Sequence, residues 1–336
     1  MAIASIFFET DFCGDIDDVG GLAIILARVH AKKCKLIGVN ANSSNHYSAS
    51  AIATMVGHCG VGSIPVGAYQ GDDTPTGSAY TFSVTSRFGK PGDNRTKYPN
   101  GVANLRRVLN AQPEASVTLL STGTLINLQG LMRSVGDEKC SLSGMQLITS
   151  KISSFVVMGG CYPSGQEWNF SNDPVSASYV IKNWPLSVPI WGVDFVLGAS
   201  IVWTLPKGDV KANPFAYAYE LFVGATRPAW DPLAALYAVG DYAHLFNVQG
   251  SNGTNMIDPT TGFNTWTSAA RNYSYLGMAT VPSAIATALN QLIAQTSRSG
   301  GLICSCKSTY RIIIGNMVHN QRVVTNSVDD WKGVPH

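Results

Sequence analysis

The densest chemical signal in the sequence is a group of four carboxylates within residues 11–18, here called the acidic loop. Asp11, Asp15, Asp17 and Asp18 follow an apolar run and precede an amphipathic segment, so they are expected where a strand meets a helix. Placed together, these groups would repel one another and raise one another's pKa values unless a cation neutralised them. Oxygen ligands at this density are typical of sites for a hard divalent cation, Ca²⁺ or Mg²⁺. The acidic loop therefore predicts a metal-assisted active site.

Two other interpretations of the acidic loop remain open. The carboxylates could simply cap a helix, because a helix N-terminus favours negative charge. Alternatively, the loop could contain the D-x-D motif of a magnesium-dependent phosphatase, in which the first Asp is the nucleophile. No lysine-bearing motif at a later strand end completes that phosphatase pattern. The spacing also differs from that of an EF-hand calcium loop.

The chain as a whole is poor in charge. Charged residues make up 13% of it, against a usual value of about 25%, and the net charge is +2. This composition lacks the basic face that binds nucleic acid or an anionic membrane surface, so we expect neither partner. No apolar run reaches the ~18 residues of a membrane-spanning helix. The N-terminus lacks the basic region of a signal peptide, which slightly favours a cytoplasmic protein over a secreted one whose leader was removed. The seven cysteines have no zinc-site spacing and are expected to be mostly free, buried thiols.

Short apolar runs alternate with helix-length amphipathic segments up to about residue 200. This alternation is typical of βαβ units, and hence of an open, doubly wound, mostly parallel α/β sheet with helices on both faces. No linker divides the chain, so we predict one domain over 1–336, with a core at about 5–240 and a C-terminal helical and hairpin elaboration at about 241–336. The predicted strands are 5–8, 34–39, 64–68, 116–121, 155–158, 189–193 and 310–314, the predicted helices are 19–31, 48–58, 102–111, 125–135, 174–182, 215–223, 231–239 and 281–296, and the predicted hairpin is 248–266.

Polar residues directly follow most of the predicted strands. In an open parallel sheet, ligands bind outside the carboxyl ends of the strands. The residues at those ends should therefore share one rim and form the binding site. They are residues 9–11, 40–42, 122–124, 159–160 and 194.

Several of these segments together resemble one known family. Glu9, Thr10 and Asp11, followed by Asp17 and Asp18, resemble the N-terminal signature D-T-D-P-G-x-D-D of the nucleoside hydrolases, the inosine-uridine preferring superfamily. The first Asp of the signature is Glu9 here, and the loop is two residues longer. Further matches follow in family order: 122–128 to G-P-L-T-N-L, 157–160 to V-M-G-G, 167–174 to E-F-N and D-P-x-A, and 230–234 to H-D-P-L-A. On these matches the chain is identified as a divergent member of the superfamily.

The resemblance implies hydrolysis of the N-glycosidic bond of a ribonucleoside to free base and ribose, with Ca²⁺ as the cofactor. The implied ligands of the ion are Asp11, Asp18, Asp231 and the backbone carbonyl of Ile126. Asp11 is also the implied general base. Asp15 lies four residues after Asp11, the spacing at which the family places the first Asp of its pair. Asp17 and Asp18, which directly precede the helix, are favoured as that pair, so Asp15 is either an extra carboxylate facing the site or a rival base.

The resemblance also implies a set of ribose-binding residues. Asp17 would bind a ribose hydroxyl, and Glu167 and Asn169 would bind the 5′- and 3′-hydroxyls. Asn42, or alternatively Asn40, would complete this part of the site.

Trp230 stands where purine-cleaving members of the family carry the His that protonates the leaving base. An indole N–H is not an acid at neutral pH, although the ring can stack on a base. The leaving group is therefore either activated by another residue or departs unaided. His46, Tyr273 and Tyr275 are the alternatives for such a residue.

We therefore predict a nucleoside N-ribohydrolase that acts on a small-molecule nucleoside, as a homodimer or homotetramer. Two alternatives remain, the first of which Trp230 and the longer loop both allow. One is a hydrolase of a modified or non-standard N-riboside. The other is a catalytically silent, calcium-dependent protein that binds nucleosides or sugars.

Overall fold

The computed structural model describes residues 3–77 and 79–297, so the predicted strand at 310–314 lies outside the described residues. The strands are β1 (Ala4–Thr10), β2 (Cys34–Ala41), β3 (Val66–Ala68), β4 (Val117–Thr122), β5 (Ile152–Met158), β6 (Ser164–Gly165), β7 (Ile190–Val193), β8 (Val202–Thr204), β9 (Thr226–Pro228), β10 (Phe246–Ile257), β11 (Asn264–Thr267) and β12 (Tyr273–Met278). The helices are α1 (Asp17–His30), α2 (Ser48–His58), α3 (Thr81–Phe88), α4 (Gly101–Asn110), α5 (Ile126–Arg133), α6 (Gly144–Lys151), α7 (Trp168–Asn172), α8 (Pro174–Asn183), α9 (Phe195–Ala199), α10 (Pro214–Leu221), α11 (Trp230–Ala238) and α12 (Pro282–Ile293).

The main sheet has ten strands within the described residues, in the order β3-β2-β1-β4-β5-β7-β12-β10-β11-β6. Neighbours from β3 to β12 pair in parallel, and β10, β11 and β6 pair antiparallel. The strands β8 and β9 form a separate antiparallel pair. The predicted α/β fold with a mostly parallel sheet is therefore confirmed.

Alternate side chains of β1 pack on opposite faces of the sheet, as the pleat of a strand requires. Ile6 and Phe8 belong to one apolar cluster with residues of α1, α2, α11 and α12. Phe7 belongs to a second cluster with residues of α4, α5, α6 and α8. Helices cover both faces, so the central strand is a continuous apolar run.

The main departures from the predicted elements lie in polar segments. The helices α3 and α6 were not predicted, and neither was β12, whose sequence contains a serine and a glycine. The predicted hairpin is confirmed as the antiparallel pair β10–β11. Because β12 also pairs with β7, the region after residue 240 extends the central sheet instead of forming a separate layer.

No helix in the described part of the chain is long and apolar enough to cross a membrane. The five described cysteines are free, and four of them are buried.

The carboxyl ends of β1, β2 and β4 lie at the same level. Thr10 is in register with both Ala41 and Thr122, and Asn42 N donates to Thr10 O over 2.9 Å. The chain approaches itself so closely there that Gly123 has no room for a side chain. A Cβ on Gly123 would lie 2.6 Å from Asp11 N and still closer to Asn42 Oδ1. The rim predicted from the sequence is therefore a tightly packed junction.

Candidate active site

The acidic loop folds back on the start of α1. Phe12 adopts a left-handed backbone conformation with φ of 43°, which turns the chain directly after Asp11. Thr10 Oγ1 donates to Asp18 Oδ1, and Phe12 N donates to the same oxygen over 3.1 Å. Ser48 Oγ donates to Phe12 O over 2.6 Å and ties the turn to α2. The loop is thus held by hydrogen bonds from three sides, and Asp18 is a fixed point within it.

Three buried carboxylates meet at the bottom of the site. Asp17 and Asp18 begin α1, and Asp231 lies in the first turn of α11. One carboxylate oxygen of each lies within 4.8 Å of the other two. The helices α1 and α11 pack closely because α1 presents glycines to α11: a Cβ on Gly20 would already lie 3.0 Å from Pro232 Cγ. The three carboxylates therefore come from two helices that the sheet brings together.

Burial and mutual repulsion disfavour the ionised form of these groups. Burial, and then the charges of the neighbouring carboxylates, raise the pKa of Asp17, Asp18 and Asp231 well above the usual range. Burial likewise raises the pKa of Asp11 to about 6. A cation among them would reverse this effect, because it favours the charged carboxylates. All the donors are oxygens, which fits a hard divalent ion such as Ca²⁺.

Asp15 is engaged differently from the other carboxylates of the loop. Arg227 in β9 donates to it in a bidentate arrangement, with Nε 2.9 Å from Oδ1 and 3.0 Å from Oδ2, and with Nη2 also bonded to Oδ2. The guanidinium lies 5.1 Å from the centre of the Trp230 ring. A bidentate pair with Arg holds a carboxylate in a defined geometry. Asp15 is therefore held by a counter-charge that the chain itself supplies.

Glu167 and Asn169 face the acidic loop from the start of α7. Glu167 caps this helix: Oε1 accepts from Asn169 N at 2.7 Å, and Oε2 accepts from Phe170 N and Gly160 N, both at 3.1 Å. Asn169 Nδ2 donates to Met158 O over 3.2 Å. Burial raises the pKa of Glu167 to about 7, although the backbone hydrogen bonds oppose this. Both side chains are thus held in place at the end of β5.

These groups line a cavity of about 500 Å³. Its outer part is aromatic: Phe195 and Trp230 stack with ring centres 5.6 Å apart and planes 12° apart. Trp230 Nε1 donates to Phe195 O over 3.0 Å. Trp168, which also lines the cavity, is 65% exposed. The cavity therefore combines a carboxylate-lined interior with an aromatic opening, as expected for a ligand with a sugar and a flat ring.

The structure brings most of the predicted site residues together, and a few lie elsewhere. The predicted residues that line the cavity are Asp11, Asp15, Asp17, Asp18, Glu167, Asn169, Trp230 and Asp231.

Asn42 is fully buried, and the Cβ of a side chain at Gly123 would lie against both its Oδ1 and Asp11 N. Its amide atoms make no hydrogen bond of ordinary geometry in the described part of the chain, although its side chain lies near enough to Glu9 to lower the pKa of that carboxyl. Asn40 donates to Glu9 Oε1 over 2.6 Å and accepts from Asn104 Nδ2 over 2.8 Å. Neither Asn40 nor Asn42 is among the described residues that line the cavity.

Ile126 and the suggested proton donors do not line the cavity in the part that the structure describes. Ile126 is the first residue of α5, and Thr122, four positions earlier, reaches the cavity in its place. His46 is exposed. The hydroxyl of Tyr273 is hydrogen-bonded to that of Tyr162, and the ring of Tyr275 stacks on Tyr162.

Glu9, which replaces the first Asp of the signature, lies beneath the cavity and is fully buried. Its two carboxylate oxygens accept from Asn40 Nδ2 at 2.6 Å and from Asn127 Nδ2 at 2.9 Å. Burial raises its pKa to about 8. Glu9 therefore joins β1 to β2 and α5 and supports the floor of the site.

Arg227, Trp168 and Phe195 line the cavity, but the sequence analysis did not identify them. The sequence position of each residue could have indicated that it belongs to the site. Arg227 precedes the metal-site segment by three residues in a chain with little charge, and Phe195 directly follows a rim residue. Trp168 lies between the matched residues Glu167 and Asn169.

Comparisons with known proteins agree with this geometry. Residues 6–313 match the family model described as inosine-uridine preferring nucleoside hydrolase. No curated protein sequence is similar enough to the chain to count as a match.

Solved structures with the same fold include an inosine-uridine preferring nucleoside hydrolase from Bacillus anthracis. Its TM-score is 0.65 at 19% identity, over 87% of this chain and 99% of that one. A plant nucleoside hydrolase has a TM-score of 0.62 at 14% identity, over 87% and 99% of the two chains. The type III effector protein XopQ, solved with adenosine diphosphate ribose, has a TM-score of 0.59 at 15% identity, over 88% and 94%. At these identities the likeness establishes the fold, and the family rests on the sequence model.

The family model spans nearly the whole chain, and the motifs it shares with the chain meet in one cavity. The chain belongs to the inosine-uridine preferring nucleoside hydrolase family and is a hydrolase of N-glycosyl bonds.

Proposed function

We propose that this chain hydrolyses the N-glycosidic bond of a ribonucleoside, with Asp11 as the general base and Ca²⁺ as the cofactor. The observation that carries the proposal is the convergence of Asp11, Asp17, Asp18 and Asp231 in one cavity that Glu167 and Asn169 also line. A silent binding protein would need no positioned base, and Asp11 is placed like one.

Asp17, Asp18 and Asp231 are close enough together to share an ion, and Asp11 lines the same cavity. We propose that Asp11, Asp18 and Asp231 hold the ion, with Asp17 beside them. Thr122, at the end of β4, reaches the cavity where the resemblance implied the carbonyl of Ile126. We therefore propose Thr122 as the residue of that segment that contributes to the site. When bound, the ion would lower the pKa of a water molecule and polarise ribose hydroxyls.

The chain's own residues then perform two tasks. Asp11, fixed by the turn at Phe12, accepts the proton of the attacking water. Glu167, Asn169 and Asn42 position the ribose hydroxyls, and Asn42 Oδ1 lies at the junction beside Asp11. Positioning of this kind lowers the barrier because the reacting groups need not be ordered again in the transition state.

The test is a reducing-sugar assay for free ribose over a panel of purine and pyrimidine nucleosides. The full-length protein is assayed as purified, after EDTA treatment, and after re-addition of Ca²⁺ or Mg²⁺. We expect ribose release that EDTA abolishes and that Ca²⁺ restores. Release that is unaffected by EDTA would refute the role of the ion, and a protein that binds Ca²⁺ without any turnover would refute the enzymatic proposal.

A further inference from the structure

The outer part of the cavity has no free proton donor for a leaving base among the described residues that line it. The indole N–H of Trp230 is directed away from a ligand, because it is bonded to Phe195 O at 3.0 Å. Arg227 is paired with Asp15, and a guanidinium does not give up a proton in this pH range. The thiol of Cys13 is buried.

The remaining acids are committed to other contacts. Glu167 is assigned to the ribose in the proposed function, and both of its oxygens also accept backbone N–H bonds at the start of α7. The carboxylates of Asp17, Asp18 and Asp231 form the cluster that fits a cation. His46, Tyr273 and Tyr275 do not reach the described lining. A neutral base that leaves as an anion would therefore depart without protonation here.

The charge of the cavity is strongly asymmetric. Six carboxylates line its described part, from Asp11, Asp15, Asp17, Asp18, Glu167 and Asp231, together with one guanidinium, from Arg227. Even with one bound divalent cation, the described lining of the cavity has more acidic groups than positive charges. Because Asp15 neutralises Arg227, the only described basic group of the lining does not repel a cationic ligand.

We propose that the preferred substrates are N-ribosides whose base is positively charged before cleavage, such as an N7-alkylated purine or an N-ribosylated pyridine. The aromatic opening formed by Trp168, Phe195 and Trp230 suits such a ring, since aromatic faces attract cations. This inference rests on the proposed function and names its substrate class.

The reaction balances without an acid. The electron pair of the C1′–N bond moves to the ring nitrogen and converts the cationic base into a neutral one. Water supplies the hydroxyl at C1′, and its second proton goes to Asp11. With a neutral nucleoside the same step would release a base anion, which needs a proton that the described lining does not supply.

The first test compares 7-methylinosine with inosine at a pH below the pKa of the N1–H of 7-methylinosine, where the two differ in the charge of the base and one methyl group. With the Ca²⁺-loaded protein we expect kcat/KM to be at least about 100-fold higher for 7-methylinosine, since general acid catalysis contributes about 10²–10⁴-fold. A ratio near one would overturn this inference and leave the proposed function intact. No hydrolysis of either compound, or of the nucleoside panel, would refute the proposed function itself.

Two variants at one position locate the cause. Trp230→His adds an acid, so kcat/KM for inosine should rise at least tenfold. The ratio of kcat/KM for 7-methylinosine to kcat/KM for inosine should therefore decrease. Trp230→Phe keeps an aromatic ring without an acid, so the ratio should stay large. An equally large decrease of this ratio in Trp230→Phe would overturn the role assigned to the missing acid.

Inhibition by free rings tests whether the cavity prefers a positively charged base, independently of how easily a base leaves. We expect 1-methylnicotinamide, a cationic ring, to inhibit at a concentration at least tenfold below that needed for neutral nicotinamide. Equal inhibition by the two compounds would overturn the preference for a cationic base.

Discussion

Asp11 and Asp15 lie four positions apart in one loop, yet their surroundings give them different roles. Asp11 is buried beside Asp18, and no described cation offsets its charge. Asp15 is half-buried and bound in a bidentate arrangement by Arg227. A base needs a carboxylate oxygen that can reach the attacking water, and both oxygens of Asp15 accept hydrogen bonds from the guanidinium of Arg227. The geometry therefore favours Asp11 as the base and gives Asp15 the task of holding Arg227.

The corresponding variants should differ in severity. We expect Asp11→Asn to lower kcat by about 10²–10⁴-fold, the usual contribution of a general base. Asp15→Asn and Arg227→Met should each lower kcat by less than about tenfold, because they loosen the loop without removing the base. Steady-state kinetics on one substrate measures kcat of the three variants. An inactive Asp15→Asn variant together with a fully active Asp11→Asn variant would contradict the assignment of Asp11 as the base.

Glu9 makes the stability of the metal-free protein depend on pH. Burial raises its pKa from 4.5 to about 8, so between these values the folded state holds a proton that the unfolded state releases. The free energy of unfolding should therefore fall as pH rises from about 5 to about 8, by about 1.4 kcal/mol for each unit of pKa difference.

Urea denaturation of the EDTA-treated protein across this pH range measures the effect. The Glu9→Gln variant is the control, because it lacks the titrating group and should show a smaller slope. A free energy of unfolding that rises with pH through this window would contradict the assignment.

At the scale of elements, the site depends on how closely β1, β2 and β4 approach at their carboxyl ends. Gly123 follows β4, and a side chain there would meet Asp11 N and Asn42 Oδ1. The backbone of Asp11 would have to shift, and overpacking of this kind costs about 1–3 kcal/mol. We expect Gly123→Ala to lower both the melting temperature and kcat.

Gly21 offers a matched control on the other side of the site. A Cβ there would lie 3.6 Å from Asp231 Cβ, an ordinary van der Waals contact between α1 and α11. Gly21→Ala should therefore gain about 0.5–1 kcal/mol of helix stability with activity retained. If the two variants behaved alike in thermal melts and kinetics, the importance of the junction at Gly123 would be refuted.

The difference between local sequence patterns and contacts between distant residues explains how much of the fold and of the site could be predicted from the sequence. Strands such as β1 and helices such as α2 were found because burial on a sheet leaves a local apolar pattern. The strand β12 was missed because its polar and small residues are stabilised by pairing with β7 and β10, which no local pattern records. The acidic loop was found from its spacing. The pair of Asp15 and Arg227 was not, because 212 positions separate the two residues and only the fold joins them.

At the scale of the whole molecule, the buried carboxylates link cation binding to folding. Asp17, Asp18 and Asp231 repel one another in the folded state and separate in the unfolded chain. A cation that binds only the folded state stabilises it by about 2.7 kcal/mol at a hundredfold excess over Kd. We expect Ca²⁺ to raise the melting temperature of the EDTA-treated protein.

Asp231→Asn should largely remove this response to Ca²⁺, because it takes one carboxylate out of the cluster. Glu138→Gln changes an exposed carboxylate outside the described cavity and should leave the response unchanged. A Ca²⁺-dependent shift of equal size in both variants would place the ion elsewhere.

The central claim is that the cavity cleaves N-ribosides, and ¹H NMR of the reaction tests it most directly. The full-length protein with Ca²⁺ is mixed with inosine, 7-methylinosine and a nucleoside monophosphate in separate samples. We predict that loss of the H1′ signal of the nucleoside is matched by equal amounts of free base and free ribose, fastest with 7-methylinosine. Intact nucleosides together with release of inorganic phosphate from the monophosphate would contradict the account and would favour a phosphatase.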